Sequence, residues 1–179
     1  FQNRLPQCLI TLQRKRRTYG YFSARRFISN DGEKIIDEIA LNPQYFIQPT
    51  PETLSTLVHE MVHLYQAHFG KPGRGRYHNK EWVALMKNIG LYPSHTGAPG
   101  GRETGDAMSH YILKNDRFYQ TCTLLLTENF RLSWLDRFPP YDAFDNLNEI
   151  DKSFLQNSGI VLPDEPQPTQ SKTKFICPE

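Results

Sequence analysis

The spacing of apolar positions divides the chain into short β-strands and amphipathic helices. Short runs rich in β-branched and aromatic residues predict strands at 7–12, 19–27, 34–42 and 107–113. The second strand reads as returning from the first across the basic turn QRKRRT at 13–18. We therefore expect the first two strands to form a hairpin.

Apolar residues at spacings of three and four predict three helices. The first begins at Thr50, whose hydroxyl can cap it, with Pro51 in the first turn, and it ends at Gly70. The second covers 79–90 and the third covers 116–129. This mixture of elements indicates an α+β fold, in which a small sheet packs on the first helix and the second helix lies beside it.

The first helix contains LVHEMVHLYQAHFG, in which His59, Glu60 and His63 form an H-E-x-x-H motif. Each helical residue turns about 100°, so His59 and His63 lie about 40° apart on one face and can bind one Zn²⁺. Glu60 points beside that metal, where a general base is needed. His68 lies about 140° from His63 and is not expected to be a ligand. Two ordinary helical histidines are the alternative, but burying them without partners would cost roughly several kcal/mol.

A catalytic zinc site needs a third protein ligand, with water in the fourth position. The metzincin motif supplies it through a glycine and a later histidine, but Gln66 and Phe69 occupy those positions here. His78 and Glu81 remain, three residues apart at the start of the second helix and so near one face. Zn²⁺ accepts both imidazole and carboxylate, so ligand chemistry does not decide between them.

Three stretches of the chain resemble the SprT-like family of zincin proteases, which includes Spartan. They are LVHEMVHLYQ, the glycine-rich basic loop after it, and HNKEW, and the resemblance spans roughly residues 8–135. It implies a zincin-like metalloprotease fold. It also implies that His78, fifteen residues after His63, is the third ligand.

The expected organisation is a SprT-like metalloprotease domain over 1–162. The composition of 163–174 is typical of a flexible linker. FICPE at 175–179 resembles the truncated start of the family's zinc ribbon.

The resemblance implies a DNA-associated hydrolase with protein substrates. Family members digest proteins trapped on or crosslinked to DNA with loose sequence preference, which implies a role in DNA-protein crosslink repair. In the hypothetical mechanism His59, His63 and His78 bind Zn²⁺, and Glu60 takes a proton from the activated water and delivers it to the leaving amine. A general zinc peptidase without a DNA role is one alternative. A non-enzymatic zinc-containing DNA-binding module is another, but a structural site needs no general base.

Other residues near the site loops have candidate roles in the reaction. Tyr111, His110 and Tyr77 could contact substrate or donate to a developing oxyanion, although each can equally be a core tyrosine or a surface histidine. The strand DEIALN could pair with an extended substrate. The glycine-rich loop 94–105 is long enough for a lid or an inhibitory cover.

The first thirty residues contain seven basic side chains and no acidic one. This one-sided charge indicates a polyanion partner, and DNA in a single-stranded or junction-containing form is expected. The candidate contacts lie in two loops, and they are Arg14, Lys15, Arg16, Arg17, Lys71, Arg74 and Arg76. A solvated basic turn without a nucleic-acid role is the alternative.

Cysteine content and hydropathy bear on the compartment. Three cysteines are a poor disulfide framework and favour a reducing cytoplasm, with nucleoid association if the protein is bacterial. No apolar run approaches the length of a membrane span, so no membrane partner is expected. We expect a monomer. The chain begins at Phe1 rather than at methionine, which suggests a fragment of a longer protein.

Overall fold

A computed structural model describes residues 1–145 and 147–163 of the 179-residue chain. The described part is a mixed α+β fold, as the order of apolar patterns predicts. Short 3-10 turns occur at Pro43–Tyr45 and Tyr141–Phe144. The strands and helices, in chain order, are β1 (Cys8–Leu12), β2 (Gly20–Ile28), β3 (Ile35–Leu41), α1 (Thr50–Phe69), α2 (Lys80–Ile89), β4 (Leu91–Ser94), β5 (Ser109–Ile112), α3 (Arg117–Thr127) and α4 (Glu149–Asn157).

The main sheet has the strand order β1-β3-β2, with β1 parallel and β2 antiparallel to β3. The predicted hairpin between the first two strands is therefore wrong, because β3 lies between them. The connecting segment 13–19 crosses the end of β3, where Asn42 Nδ2 donates to the Lys15 and Thr18 carbonyls at 2.8 and 2.9 Å. A two-residue turn forces a hairpin, but a connection of this length also permits a crossover.

Helix α1 lies between the sheet and α2. Ile39 and Leu41 of β3 pack against Leu64 on one side of α1. Val62 packs with Trp82 of α2 in a second cluster on another side. α1 is therefore buried on two faces, which explains why its apolar residues are not confined to one side.

The boundaries of the first two helices agree with the predictions to about one residue. Thr50 is the first helical residue of α1, but the structure shows no side-chain hydrogen bond capping this end. Asn79 caps α2 by accepting from the Trp82 N–H at 3.0 Å. α2 ends at Gly90, whose φ of 88° is the left-handed conformation that favours glycine.

A second, two-stranded sheet pairs β4 with β5 in antiparallel register. Strand β5 falls within the predicted strand at 107–113, whereas no strand was predicted where β4 forms. Pro93 lies in β4. Proline disfavours a strand prediction because it cannot donate a backbone hydrogen bond, but a strand at a sheet edge accommodates it. The short second sheet brings His110 of β5 towards α1.

The last part of the described chain packs against the segment that precedes α1. Phe144, Leu155 and Ile160 form a buried cluster with Tyr45 and Ile47. Helix α4, which was not predicted, supplies part of this cluster. The predicted linker after Pro163 and the predicted ribbon start at 175–179 lie outside the described residues. Among the residues that are described, no helix is both long and apolar enough to cross a bilayer.

Candidate metal centre

Three imidazoles meet between α1 and the segment that leads into α2. His59 and His63 lie one turn apart on α1. One ring nitrogen from each of them and one from His78 all lie within 4.8 Å of one another. The closest approach joins His63 Nε2 to His78 Nε2 at 3.0 Å. We call His59, His63 and His78 the histidine centre.

His78 lies just ahead of α2 rather than within it, and the glycine-rich loop holds it there. Its backbone forms a β-bridge with Gly105, with N–H to carbonyl distances of 2.8 and 3.2 Å in the two directions. The His78 Nδ1–H also donates to the Gly105 carbonyl, at 3.0 Å. That bond leaves His78 Nε2 unprotonated and facing His63. Gly105 has a φ of 148°, which L side chains rarely adopt, so this position requires glycine.

Burial keeps the three histidines uncharged. Desolvation lowers the pKa of His59 well below its ordinary value, lowers that of His63 to about 3, and lowers that of His78. Neutral imidazole is the form that binds metals. Two unprotonated nitrogens that face each other repel unless a proton or a cation lies between them. The centre therefore has a donor set of three imidazoles that could hold a metal ion.

The indole of Trp82 packs against all three rings. Its centroid lies 4.4 Å from that of His78, 4.9 Å from that of His59 and 5.5 Å from that of His63. Trp82 is fully buried. The sequence showed Trp82 only as one apolar position of α2, and no local signal indicated its contact with the histidines.

Glu60 lies next to the histidine centre but is not part of it. Its side chain is buried, and burial raises the pKa of its carboxyl to about 8, while a hydrogen bond from the Phe22 backbone N–H acts in the opposite direction. A carboxyl group whose pKa lies near neutrality can both accept and release a proton. Glu60 thus has the environment expected of an acid–base group.

His68, by contrast, points to the sheet. Its Nε2 lies 2.5 Å from Asp37 Oδ2 of β3, and its side chain is 41% exposed. The helical angle of about 140° from His63 accounts for this separation from the centre.

Glu81, the other possible third ligand, is also elsewhere. Its Oε2 accepts from Gln66 Nε2 at 2.7 Å and from the Lys71 N–H at 2.6 Å, and these bonds lower its pKa. The expectation that His78 and Glu81 share one face of a helix is wrong. Asn79 is the helix cap, so His78 precedes the helix and its direction does not follow helical rotation.

The three candidates for contacting substrate have different surroundings. Tyr77 is exposed, and Tyr111 stacks on Tyr92 with centroids 5.6 Å apart. His110 is the neighbour of Tyr111 on β5, and strand alternation places the two side chains on opposite faces. His110 contacts the centre, with its Nδ1 3.1 Å from His59 Nδ1 and its Nε2 2.8 Å from Ser55 Oγ. Ser55 was not indicated by the sequence, although it lies one helical turn before His59.

One expectation about substrate access needs correction, and the expectation that the glycine-rich loop is a lid or an inhibitory cover stays a prediction. Strand β3, which contains the DEIAL part of DEIALN, cannot pair with a substrate because β1 and β2 occupy both of its edges. The glycine-rich loop is tied to the protein by the Gly105 bridge and by an ion pair of 2.6 Å between Lys87 and Glu103. It therefore supports His78 in this structure.

The candidate DNA contacts fall into two groups at opposite ends of α1. Segment 13–19 packs through Tyr19 on Tyr45, ahead of α1, with ring centroids 4.3 Å apart, whereas segment 70–78 follows the end of α1. Twenty helical residues span about 30 Å, so the two groups do not form one continuous patch. The seven side chains are all exposed, and they are Arg14, Lys15, Arg16, Arg17, Lys71, Arg74 and Arg76.

Two of these basic residues have partners within the protein. Arg14 forms a two-pronged ion pair with the buried carboxylate of Asp136, with distances of 2.7 and 2.9 Å. Lys15 lies over the ring of Tyr21, with Nζ 4.8 Å from the centroid. Arg14 therefore has a structural role of its own.

Comparison with known proteins places the chain in a family. No solved structure matches it. A stretch of 39 residues is 56% identical to an uncharacterized protein in mucB 3'region of Salmonella typhimurium. The stretch covers 22% of this chain and 53% of that protein, so the chain spans about half the length of the curated relative it matches. The profile of the SprT-like family matches residues 1–99, which include the whole histidine centre, and the chain belongs to the SprT-like family.

Proposed function

We propose that this chain is a zinc-dependent endopeptidase that degrades proteins bound or crosslinked to DNA, with loose sequence preference. Membership of the SprT-like family supports a metallopeptidase-type function. The observation that carries the proposal is the convergence of His59, His63 and His78 beside a buried Glu60. A purely structural zinc site would not need that carboxyl group.

The donor set fits Zn²⁺. His59, His63 and His78 would hold the ion through neutral ring nitrogens, and three protein ligands leave a fourth position open. When bound, Zn²⁺ supplies Lewis-acid chemistry, which polarises the scissile carbonyl and makes water acidic enough to attack at neutral pH.

Glu60 performs the proton transfers in this proposal. Its carboxylate accepts a proton from the attacking water and then delivers that proton to the leaving amine of the peptide. The Phe22 N–H orients the carboxylate. The burial that raises the Glu60 pKa also excludes competing water.

The Phe22 contact points to the strand that binds substrate. β2 is an edge strand of the main sheet, and its Phe22 faces Glu60. An extended peptide that pairs with the outer edge of β2 would pass beside the catalytic carboxyl group. Pairing through the backbone gives affinity with little side-chain selection, which suits a protease with varied protein substrates.

DNA association is supported by the exposed basic loops at the two ends of α1. Exposed basic side chains such as Arg16 and Arg17 are suited to phosphate contacts. We propose that single-stranded or junction-containing DNA binds at one of these ends and brings protein substrates to the site. A zinc peptidase without a DNA role shares every residue of the histidine centre, so only the effect of DNA separates the two functions.

The decisive experiment is a cleavage assay on a DNA-binding protein, with and without DNA, comparing the parent with Glu60→Gln. Glutamine keeps the shape of the side chain but cannot accept the proton. We expect cleavage by the parent to increase with DNA and to require Zn²⁺. Cleavage by Glu60→Gln should fall by at least about 10²–10⁴-fold with zinc content unchanged. Equal rates in the two proteins would disprove the role of Glu60, and a parent rate independent of DNA would favour the general peptidase.

The DNA surface is tested by reversing charge in each loop separately. One variant changes Lys15, Arg16 and Arg17 to Glu, and the other changes Lys71, Arg74 and Arg76 to Glu. Arg14 is left in place because its loss would leave Asp136 buried without its partner. The variant that affects the true surface should bind DNA more weakly and reduce the salt slope by about 2–3. Unchanged slopes in both variants would disprove both surfaces.

A further inference from the structure

His59 makes a ring contact outside the histidine centre, and that contact continues through two more residues. The His59 Nδ1 lies 3.1 Å from His110 Nδ1. The other ring nitrogen of His110, Nε2, lies 2.8 Å from Ser55 Oγ. Ser55 Oγ in turn lies 2.8 Å from the Glu52 carbonyl oxygen. We call Ser55 and His110 the relay pair.

The directions of these hydrogen bonds follow from the last acceptor. A backbone carbonyl only accepts, so the one hydroxyl proton of Ser55 points to Glu52. Ser55 Oγ then accepts from the His110 Nε2–H. A neutral imidazole with its proton on Nε2 has an unprotonated Nδ1, so His59 must donate from Nδ1 to His110. This leaves His59 Nε2 without a proton.

We propose that Ser55 and His110 are positioning residues that hold His59 in the Nδ1–H tautomer, so that its Nε2 presents a lone pair to the metal. The inference rests on the proposed metal site and adds two residues that act through a ligand. Gly105 performs the same task for His78 by accepting from its Nδ1. Groups that accept the second ring proton of a ligand histidine orient the ring and increase its affinity for metal.

The opposite polarity would have a specific cost. If Ser55 donated to His110, His110 would donate from Nδ1 to His59, and His59 would carry its proton on Nε2. That proton would have to be removed before Nε2 could bind a metal. The carbonyl of Glu52 prevents this arrangement because it competes for the Ser55 proton at hydrogen-bond distance.

The neighbouring Thr56 is a matched control for Ser55. Its Oγ1 donates to the same Glu52 carbonyl, at 3.2 Å, but it belongs to a more exposed part of α1 and is not one of the hydrogen-bond partners of His110. Thr56→Val therefore removes an equivalent hydroxyl bond without altering the relay pair, and it keeps the shape of the side chain.

The first test is the tautomer of His59 in the metal-free full chain, measured by NMR of protein labelled with ¹⁵N in the histidine rings. We expect Nδ1 to be protonated and Nε2 to be unprotonated in the parent and in Thr56→Val. In Ser55→Ala and His110→Leu the His59 signals should shift towards the other tautomer. A parent in which His59 carries its proton on Nε2 would overturn the inference.

The second test is Zn²⁺ affinity, measured by competition with a chelator. His110→Leu should bind about 10–100-fold more weakly than the parent, as expected when the partner of a ligand histidine is lost. His110→Asn should recover most of the affinity, because its amide oxygen can take the place of His110 Nδ1 and accept from the His59 Nδ1–H. Ser55→Ala should show a smaller loss, and Thr56→Val should bind like the parent.

The outcomes distinguish this inference from the proposed function. A parent that binds Zn²⁺, with affinity unchanged in His110→Leu or lost equally in His110→Leu and His110→Asn, would overturn the relay and leave the proposed function standing. A parent that does not bind Zn²⁺ would overturn the proposed function. The spectrum of the metal-free protein would then still decide whether the relay pair sets the His59 tautomer.

Discussion

Helix α1 contains three histidines, and their surroundings differ in the partner that each one meets. His59 and His63 meet the nitrogen of another histidine in a buried region packed on Trp82. His68 meets the carboxylate of Asp37 and is partly exposed. An imidazole beside a carboxylate is satisfied by its own hydrogen bond. In the first region one nitrogen each from His59, His63 and His78 converge within 4.8 Å of one another, so of the two regions it is the one suited to bind a cation.

Loss of His78 is the strongest test of this contrast. His78→Ala removes one of the three converging nitrogens. Losing a residue that only supports a ligand weakens metal binding about 10–100-fold, so loss of His78 itself should weaken Zn²⁺ binding by more than that. His68→Ala is the control, and it should bind Zn²⁺ like the parent in the same chelator competition. If His68→Ala lost the metal while His78→Ala kept it, the assignment of the two regions would be reversed.

The sequence predicts the residues of both regions that lie on α1, but its local geometry does not identify the third histidine of the centre. His59, Glu60 and His63 are placed by helical rotation alone, and so is the separation of His68, because all four lie in one helix. His78 could not be distinguished from Glu81 by local geometry. The choice between them depends on where α2 begins, and the resemblance to a family pointed to His78.

The remaining parts of the site depend on contacts between distant segments. Gly105 reaches His78 across the glycine-rich loop, and His110 reaches His59 from β5. Neither pairing leaves a periodic signal in the sequence. The wrong hairpin has the same origin, since β1 and β2 show strand patterns but not which strand lies between them.

The buried Glu60 in the first region should make the free energy of unfolding depend on pH when no metal is bound. Burial raises the Glu60 pKa from 4.5 to about 8, so the fold favours the protonated carboxyl group. The stability that this provides is complete below the unfolded pKa and is lost as the pH rises towards the folded value. Glutamine does not ionise, so Glu60→Gln should gain free energy of unfolding relative to the parent, by up to about 1.4 kcal/mol per pH unit within that window.

Urea unfolding with a chelator present, at a series of pH values within the window, measures this gain. Glu81→Gln is the control, because Glu81 is exposed and its hydrogen bonds lower its pKa. Its difference from the parent should not grow over the same range. A difference for Glu60→Gln that stayed constant with pH would show that the buried carboxyl group does not resist ionisation.

Glu81 tests the boundary of the histidine centre. Glu81→Ala removes the acceptor for Gln66 and for the Lys71 N–H at the start of the loop that leads to His78. Because Glu81 is exposed, we expect a modest loss of about 0.5–1.5 kcal/mol in the free energy of unfolding. Its Zn²⁺ content, measured by elemental analysis, should equal that of the parent. Loss of the metal with stability unchanged would instead make Glu81 the third ligand.

The smallest effect is expected from changing His68 in the second region. His68→Gln removes the ring that contacts Asp37, but Asp37 keeps its hydrogen bond from the Arg25 N–H at 2.7 Å, and glutamine can donate in place of the ring. Asp37 is buried but keeps this partner, and His68 is partly exposed, so we expect a loss of about 1 kcal/mol or less and a small change in the denaturant midpoint. Cleavage and Zn²⁺ affinity should remain those of the parent. A large loss of cleavage with Zn²⁺ affinity intact would mean that the His68–Asp37 pair positions the sheet against the active helix, and the two regions would then be coupled rather than independent.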